Sequence, residues 1–169
     1  ISFLKKFYDS VNAYFQGKSV LGFKDVYMVG ECWLGTDDMA KYYTGLPSLF
    51  DFTAWENRLL YAIQNSHAKW FPKDMIAERN VFANYRKDFI QATKLSNHDE
   101  VRARTALGGR SLSMSLERSK MAAAVLLTSC GSPFIYYGEE IGMMGDKTKP
   151  GGDRNVREPM MWAPKAKDT

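Results

Sequence analysis

The sequence predicts an α/β fold in which short parallel strands alternate with helical crossovers and close toward a barrel. Three observations carry that prediction. Short apolar runs rich in β-branched and aromatic residues alternate with amphipathic segments. Two acidic residues, Glu31 and Asp99, stand where such runs pass into polar sequence. No glycine-rich phosphate loop is present to serve the open-sheet alternative: Gly108-Gly109 is a bare pair, and Gly151-Gly152 leads into no helical pattern.

Taken in order, Phe3, Leu4, Phe7, Tyr8, Val11, Tyr14 and Phe15 recur at spacings of three and four, so the chain opens with a helix that Gly17 ends. Asp25 to Gly30 alternates little in polarity and suits a parallel strand buried on both faces, with Glu31 at its exit. A polar stretch containing Gly35 and Gly45 follows. Ser48 to Phe52 is a second strand, and Trp55, Leu59, Leu60 and Ile63 mark a helix behind it. Met75 to Arg86 reads as helical or irregular. Phe89 to Ser96 supplies a third strand leading to Asp99, and Leu116 to Ser129 is a strong helix with an alanine-rich face. Gly131-Ser132-Pro133 breaks that helix, Phe134 to Tyr137 forms a fourth strand, and a glycine-rich, charged tail begins near Gly142. The alternation reads α-β-α-β-α-β.

Composition bounds the function. With 169 residues, 45% of them hydrophobic and 14% aromatic, the chain can bury one ordinary core. No run approaches the roughly 20 apolar residues of a membrane-spanning helix. The net charge of +4 comes from 23 basic residues scattered among 19 acidic ones, without the block or stripe that tracks phosphates, so no nucleic-acid partner is expected. Cys32 and Cys130 both sit in apolar settings and read as free buried thiols. The chain begins at Ile1 with no strand before its first helix, and reads as an excerpt of something longer.

Glu31 and Asp99 lie about two strand-plus-helix units apart, at roughly 30 residues per unit. They therefore sit on strands one apart, at the end where such folds build their sites, and a converging carboxyl pair points to acid/base chemistry on a glycosidic bond. A strand-terminal acid is also commonly a cap or a loop hydrogen-bonder, so position alone leaves both readings open. Glu139 and Glu140 follow a strand too, but adjacent side chains on an extended segment point apart, and a structural role is expected for them and for Asp51. His67 reads as a surface residue, and Tyr42-Tyr43 as core or sugar platform with equal weight. No His, Cys and carboxylate cluster has metal-ligand spacing.

Four motifs, Val29-Gly30-Glu31, Leu95-Ser96-Asn97-His98-Asp99, Gly131 to Glu140, and Asn155 to Trp162, stand in an order and spacing that resemble the α-amylase family of glycoside hydrolases. The run from Asn84 to Asp88 leading into Lys94 to Glu100 is most similar to the outer-membrane amylases of gut-bacterial starch-utilisation systems. The resemblance implies the C-terminal half of a (β/α)8 TIM barrel, strands 5 to 8, running roughly from helix 4 to the loop after strand 8. The N-terminal half, the inserted domain and a C-terminal β domain would then lie outside the chain. It implies Glu31 as general acid/base and Asp99 as transition-state stabiliser. His98, Asp153 and Arg157 would bind sugar, with Trp33 supplying apolar surroundings to raise the pKa of Glu31.

The same resemblance implies that the nucleophilic Asp belongs after the fourth barrel strand, outside these residues. The excerpt alone is then expected to be inactive. No cofactor or metal is expected in the chain, with calcium possible in the absent part. The expected partner is an α-glucan oligosaccharide or polysaccharide. Half a barrel is further expected to self-associate or to pair with its other half. By resemblance the parent is secreted or anchored to the outer membrane, facing outside the cell. A non-catalytic glucan-binding half-barrel is the alternative. An unrelated α/β hydrolase is disfavoured because no Gly-x-Ser-x-Gly elbow is present.

Overall fold

The computed structural model describes residues 1–18, 25–52, 58–108 and 111–162. The expected helical position Trp55 and the glycine Gly109 fall outside them. Four strands, β1 (Val29–Gly30), β2 (Ser48–Phe50), β3 (Ile90–Lys94) and β4 (Ser132–Phe134), form one sheet in the order β1-β2-β3-β4. Every neighbouring pair is parallel, with Val29 opposite Ser48, Phe50 opposite Ala92 and Lys94 opposite Phe134. Sequential parallel neighbours joined by helices are the repeating unit of a barrel wall. Among the described strands, β1 and β4 are the edges.

Helix α1 (Ser2–Gln16) precedes the sheet, and α2 (Thr36–Tyr42) joins β1 to β2. Two helices, α3 (Leu59–Gln64) and α4 (Phe71–Ala83), lie between β2 and β3. Two more, α5 (Ala103–Leu107) and α6 (Leu112–Thr128), lie between β3 and β4. The simple alternation read from sequence is thereby corrected. The polar stretch after Glu31 folds as α2 because Asp37 and Asp38 occupy its first turn, where the helix dipole favours negative charge. Helix α6 starts earlier than its apolar pattern, because the Met114 amide donates to Ser111 Oγ at 3.2 Å and caps the first turn.

The strands also shift. Only Val29 and Gly30 of the expected 25–30 run join the ladder and both are half-buried, since the Val26 amide donates instead to Asn12 Oδ1 at 2.8 Å. The fourth strand begins inside the expected breaker, at Ser132-Pro133-Phe134 rather than 134–137. Pro133 stands on β4, an edge among the described strands, where proline is tolerated.

Burial follows the two faces of the sheet. Leu49 points to the helix layer and packs with Tyr8, Met39, Ala40, Tyr43, Leu46, Phe82 and Phe89. Tyr43 is fully buried there, its ring 4.9 Å from Phe82 and 5.3 Å from Phe89, so it belongs to the core. A second cluster joins Leu59, Leu60 and Met75 to Leu95, Leu107, Ala122 and Leu126. On the opposite face the Phe50 ring meets Phe134 at 4.7 Å, and Lys94 lies over Phe52 at 4.3 Å while ion-paired to Glu100. Large apolar side chains remain exposed on α1, among them Phe3, Phe7 and Phe15. Cys32 is buried as expected, but Cys130, just past the end of α6, is exposed; both are free.

Candidate active site

Because all four strands run parallel, everything that follows a strand emerges at one end of the sheet. Glu31 is the first residue after β1. Gly30 lets that strand end lie close on its neighbour: a Cβ there would stand 2.7 Å from Leu46 Cδ1 and 2.9 Å from Leu49 Cδ2. Glu31 is exposed, and Trp33 Nε1 donates to its Oε1 at 2.6 Å. Trp33 in turn stacks on Phe52 with ring centroids 3.9 Å apart. Trp33 therefore meets Glu31 as a hydrogen-bond donor rather than as the apolar wall expected from sequence.

The loop after β3 carries His98 and Asp99. Its turn is closed by the Asp99 amide, which donates to Asn97 Oδ1 at 2.8 Å. The loop after β4 returns to it through a 3-10 turn over Gly152–Val156, where the sequence had given no helical signal. Arg157, at the end of that turn, donates from Nε to the His98 carbonyl at 3.0 Å. Its Nη2 lies 2.7 Å from Asp99 Oδ1 and 3.2 Å from Asp153 Oδ2. His98 Nε2 is 3.2 Å from the other Asp99 oxygen. Four of the five residues singled out from sequence thus converge in one charged cluster, and Glu31 stands apart with Trp33.

One member was missed. Lys147 Nζ lies 3.2 Å from Asp153 Oδ1 and donates to the Asp99 carbonyl at 2.7 Å. Its hydrogen bond and charge, with help from Arg157, hold the Asp153 carboxyl below its ordinary range. A lysine in a charged, glycine-rich tail carries no periodic signal that distinguishes it from Lys149 or Lys165.

Below the cluster, Glu139 joins the two loops. Ser96 Oγ donates to its Oε1 at 2.5 Å and the Tyr136 amide to its Oε2 at 3.1 Å. Burial pushes its pKa up to about 7, against those two hydrogen bonds and the charges of Lys94 and Arg102. Glu140 is exposed; the pair lies in a turn rather than on the extended segment expected, the Glu139 amide donating to the Tyr136 carbonyl at 3.0 Å. Arg102 is fully buried, its guanidinium 4.7 Å from both the Tyr136 and Tyr137 rings and donating to the Tyr137 carbonyl at 2.7 Å. Asp51 is fully buried and accepts from Gln91 Nε2 at 3.0 Å. Among the described residues no group of three His, Cys, Asp or Glu side chains could hold a metal ion.

A wall of parallel strands with carboxylates at its C-terminal rim is a segment of a barrel-type enzyme scaffold. Comparison with known proteins gives the family: the model of the alpha amylase catalytic domain matches residues 1–168, and the chain belongs to that family. Alpha-amylase SusG of Bacteroides thetaiotaomicron is 50% identical over 160 residues, which is 95% of this chain and 22% of SusG. Alpha-amylase 3 of Dictyoglomus thermophilum is 41% identical over 138 residues, covering 82% of this chain and 26% of that protein. The solved α-amylase of H. orenii superposes with a TM-score of 0.78 at 29% identity, over 96% of this chain and 30% of that one. The chain thus spans about a quarter of the curated relatives it matches.

Proposed function

We propose that residues 1–169 form part of a retaining glycoside hydrolase that cleaves α-glucosidic bonds in starch-like glucans, and that they supply two of its three reacting carboxylates. The observation that carries this reading is the shared end of the parallel sheet: Glu31 and the Asp99 cluster both leave it at the rim. Glu31, exposed and held by one indole N–H, acts as general acid toward the glycosidic oxygen and then as general base toward water. Asp99 holds sugar hydroxyls through charge-assisted hydrogen bonds that tighten as the ring becomes oxocarbenium-like. His98, Asp153 and Arg157 grip the same sugar and its neighbour. SusG and Alpha-amylase 3 are amylases by name, which supports the substrate class.

The nucleophile of this double displacement lies outside residues 1–169. Within them Asp51 is buried against Gln91, Glu100 is ion-paired with Lys94, and Glu139 is held by Ser96 and the Tyr136 amide. Each of these three carboxylates is engaged within the fold, and the isolated chain, which lacks the aspartate that the family places after the fourth strand, is expected to hydrolyse nothing; were it to do so, Asp51 and the exposed Glu140 would be the first to test. The open edges of β1 and β4 are assigned to the strands that complete the barrel. The likeness to outer-membrane starch-utilisation amylases supports a whole protein that is secreted or anchored to the outer membrane, facing outside the cell.

The test is steady-state hydrolysis of starch and maltoheptaose by the full-length polypeptide carrying these residues. Glu31→Gln should abolish turnover while glucan binding persists. A Glu31→Gln variant with near-native turnover sinks the assignment in favour of a non-catalytic glucan-binding segment. Reproducible hydrolysis by residues 1–169 alone would show a nucleophile within them.

A further inference from the structure

Lys147 has a placement that its surroundings build with care. Gly145, two residues before it, donates its amide to Thr105 Oγ1 at 2.9 Å and accepts from the Arg102 amide at 3.0 Å, which anchors the root of the loop to the start of α5. No side chain fits at Gly145, where a Cβ would stand 2.1 Å from the Asn155 carbonyl oxygen. Asp146 Oδ1 accepts from both the amide and the hydroxyl of Thr148, at 3.0 and 2.6 Å, and Asn155 Nδ2 donates to the Asp146 carbonyl at 2.9 Å. The turn that presents Lys147 is therefore tied on both sides before its ammonium meets anything.

That ammonium then spans two loops, from the Asp99 carbonyl to Asp153 Oδ1. Arg157 spans the same pair differently, reaching the Asp99 carboxylate and the other oxygen of Asp153. The two cations divide the work. Arg157 takes the Asp99 carboxylate itself, whereas Lys147 takes only the main-chain carbonyl and makes no contact with that carboxylate. We propose that Lys147 is a positioning residue of the glucan site, clamping Asp153 to the main chain of Asp99 and so fixing the spacing of the two carboxylates that hold adjacent sugar. This inference rests on the hydrolase reading. The plainer account is an ordinary surface ion pair, of little weight for stability and indifferent to substrate.

The experiment separates the two in the full-length polypeptide with maltoheptaose as substrate. Lys147→Met keeps the aliphatic stem and removes both bonds; it should raise KM about tenfold with kcat within about twofold. Lys147→Arg, which keeps charge and reach, should recover most of the loss. Because Lys147 acts through Asp153, adding Lys147→Met to Asp153→Asn should cost less than about twofold more. An unchanged KM in Lys147→Met, or effects of the two substitutions that multiply, overturns the proposal. If the wild-type polypeptide hydrolyses no glucan, the hydrolase reading fails, and the clamp is judged by the carbon NMR titration of the Asp153 carboxyl. Lys147→Met should raise that titration toward the ordinary aspartate range, and no change refutes the clamp as well.

Discussion

Glu31 and Asp99 leave the same rim of one sheet, yet among the described residues the first meets one indole N–H beside an edge strand, while the second has one oxygen on the Arg157 guanidinium and the other on the His98 ring. Asp99 also sits on a loop stapled to its neighbour by Arg157, Lys147 and Glu139. The contrast matches the two roles proposed for them. A proton carrier must exchange with water and substrate, and few contacts suit it. A group that stabilises developing positive charge works by being fixed beforehand, and its environment is built to hold it still.

The sharpest way to break that contrast is to remove each acid. Glu31→Gln should lower kcat by about 10² to 10⁴, the usual share of general acid/base catalysis, with glucan affinity retained. Asp99→Asn should cost a similar factor, because it weakens interactions made mainly in the transition state. Rates on starch combined with calorimetric binding distinguish the two, and equal losses in affinity and kcat for either would contradict the division. Next in size is the fixing of Asp99. Arg157→Met removes its charged partner and should reduce kcat/KM by roughly 10- to 100-fold, as loss of a charged hydrogen bond predicts. Arg157→Lys should recover little, since one ammonium cannot reach the His98 carbonyl and both carboxylates together.

A third test reads stability. The raised pKa of Glu139, about 7 against an ordinary 4.5, means that the folded state binds its proton more tightly than the unfolded chain. Its contribution is present in full below about pH 4.5 and is lost as pH rises through 7. Wild-type protein should lose melting temperature across that window by more than Glu139→Gln, and parallel curves would show that the carboxyl does not titrate there. The smallest effect belongs to the loosely held acid. Trp33→Phe keeps an aromatic ring on Phe52 and deletes the N–H, so activity should fall by less than about tenfold. A larger loss would mean that Glu31 depends on its partner as Asp99 does.

Much of this was legible in the chain. Strand order and the common rim follow from short apolar runs separated by crossovers, and the four-residue spacing of Asp153 and Arg157 survived as an ion pair across one turn. What escaped had specific causes. Helix α2 hides in polar sequence because only Met39 and Ala40 are buried from it, with Tyr42 packed partly against the same cluster. The expected strand 25–30 mostly failed to join because Asn12, far away in sequence, took the amide of Val26. Trp33 was read by the bulk of its ring, and its N–H decided the contact. Lys147 was invisible because its meaning comes from Asp99 and Asp153, which only the fold brings to it.

Gly30 bears on how such a site can vary. Its hydrogen atoms rest where a methyl group would overlap two leucine side chains, Leu46 and Leu49, and the next residue is the acid. Adding one carbon at position 30 would push the rim of β1 outward and carry the carboxyl of Glu31 with it, without touching any reacting group. Natural drift and deliberate redesign therefore face the same asymmetry along this strand. Position 30 is mechanically coupled to the residue proposed as proton donor. A Gly30→Ala protein would be expected to fold nearly as well as the original and still be a poorer catalyst.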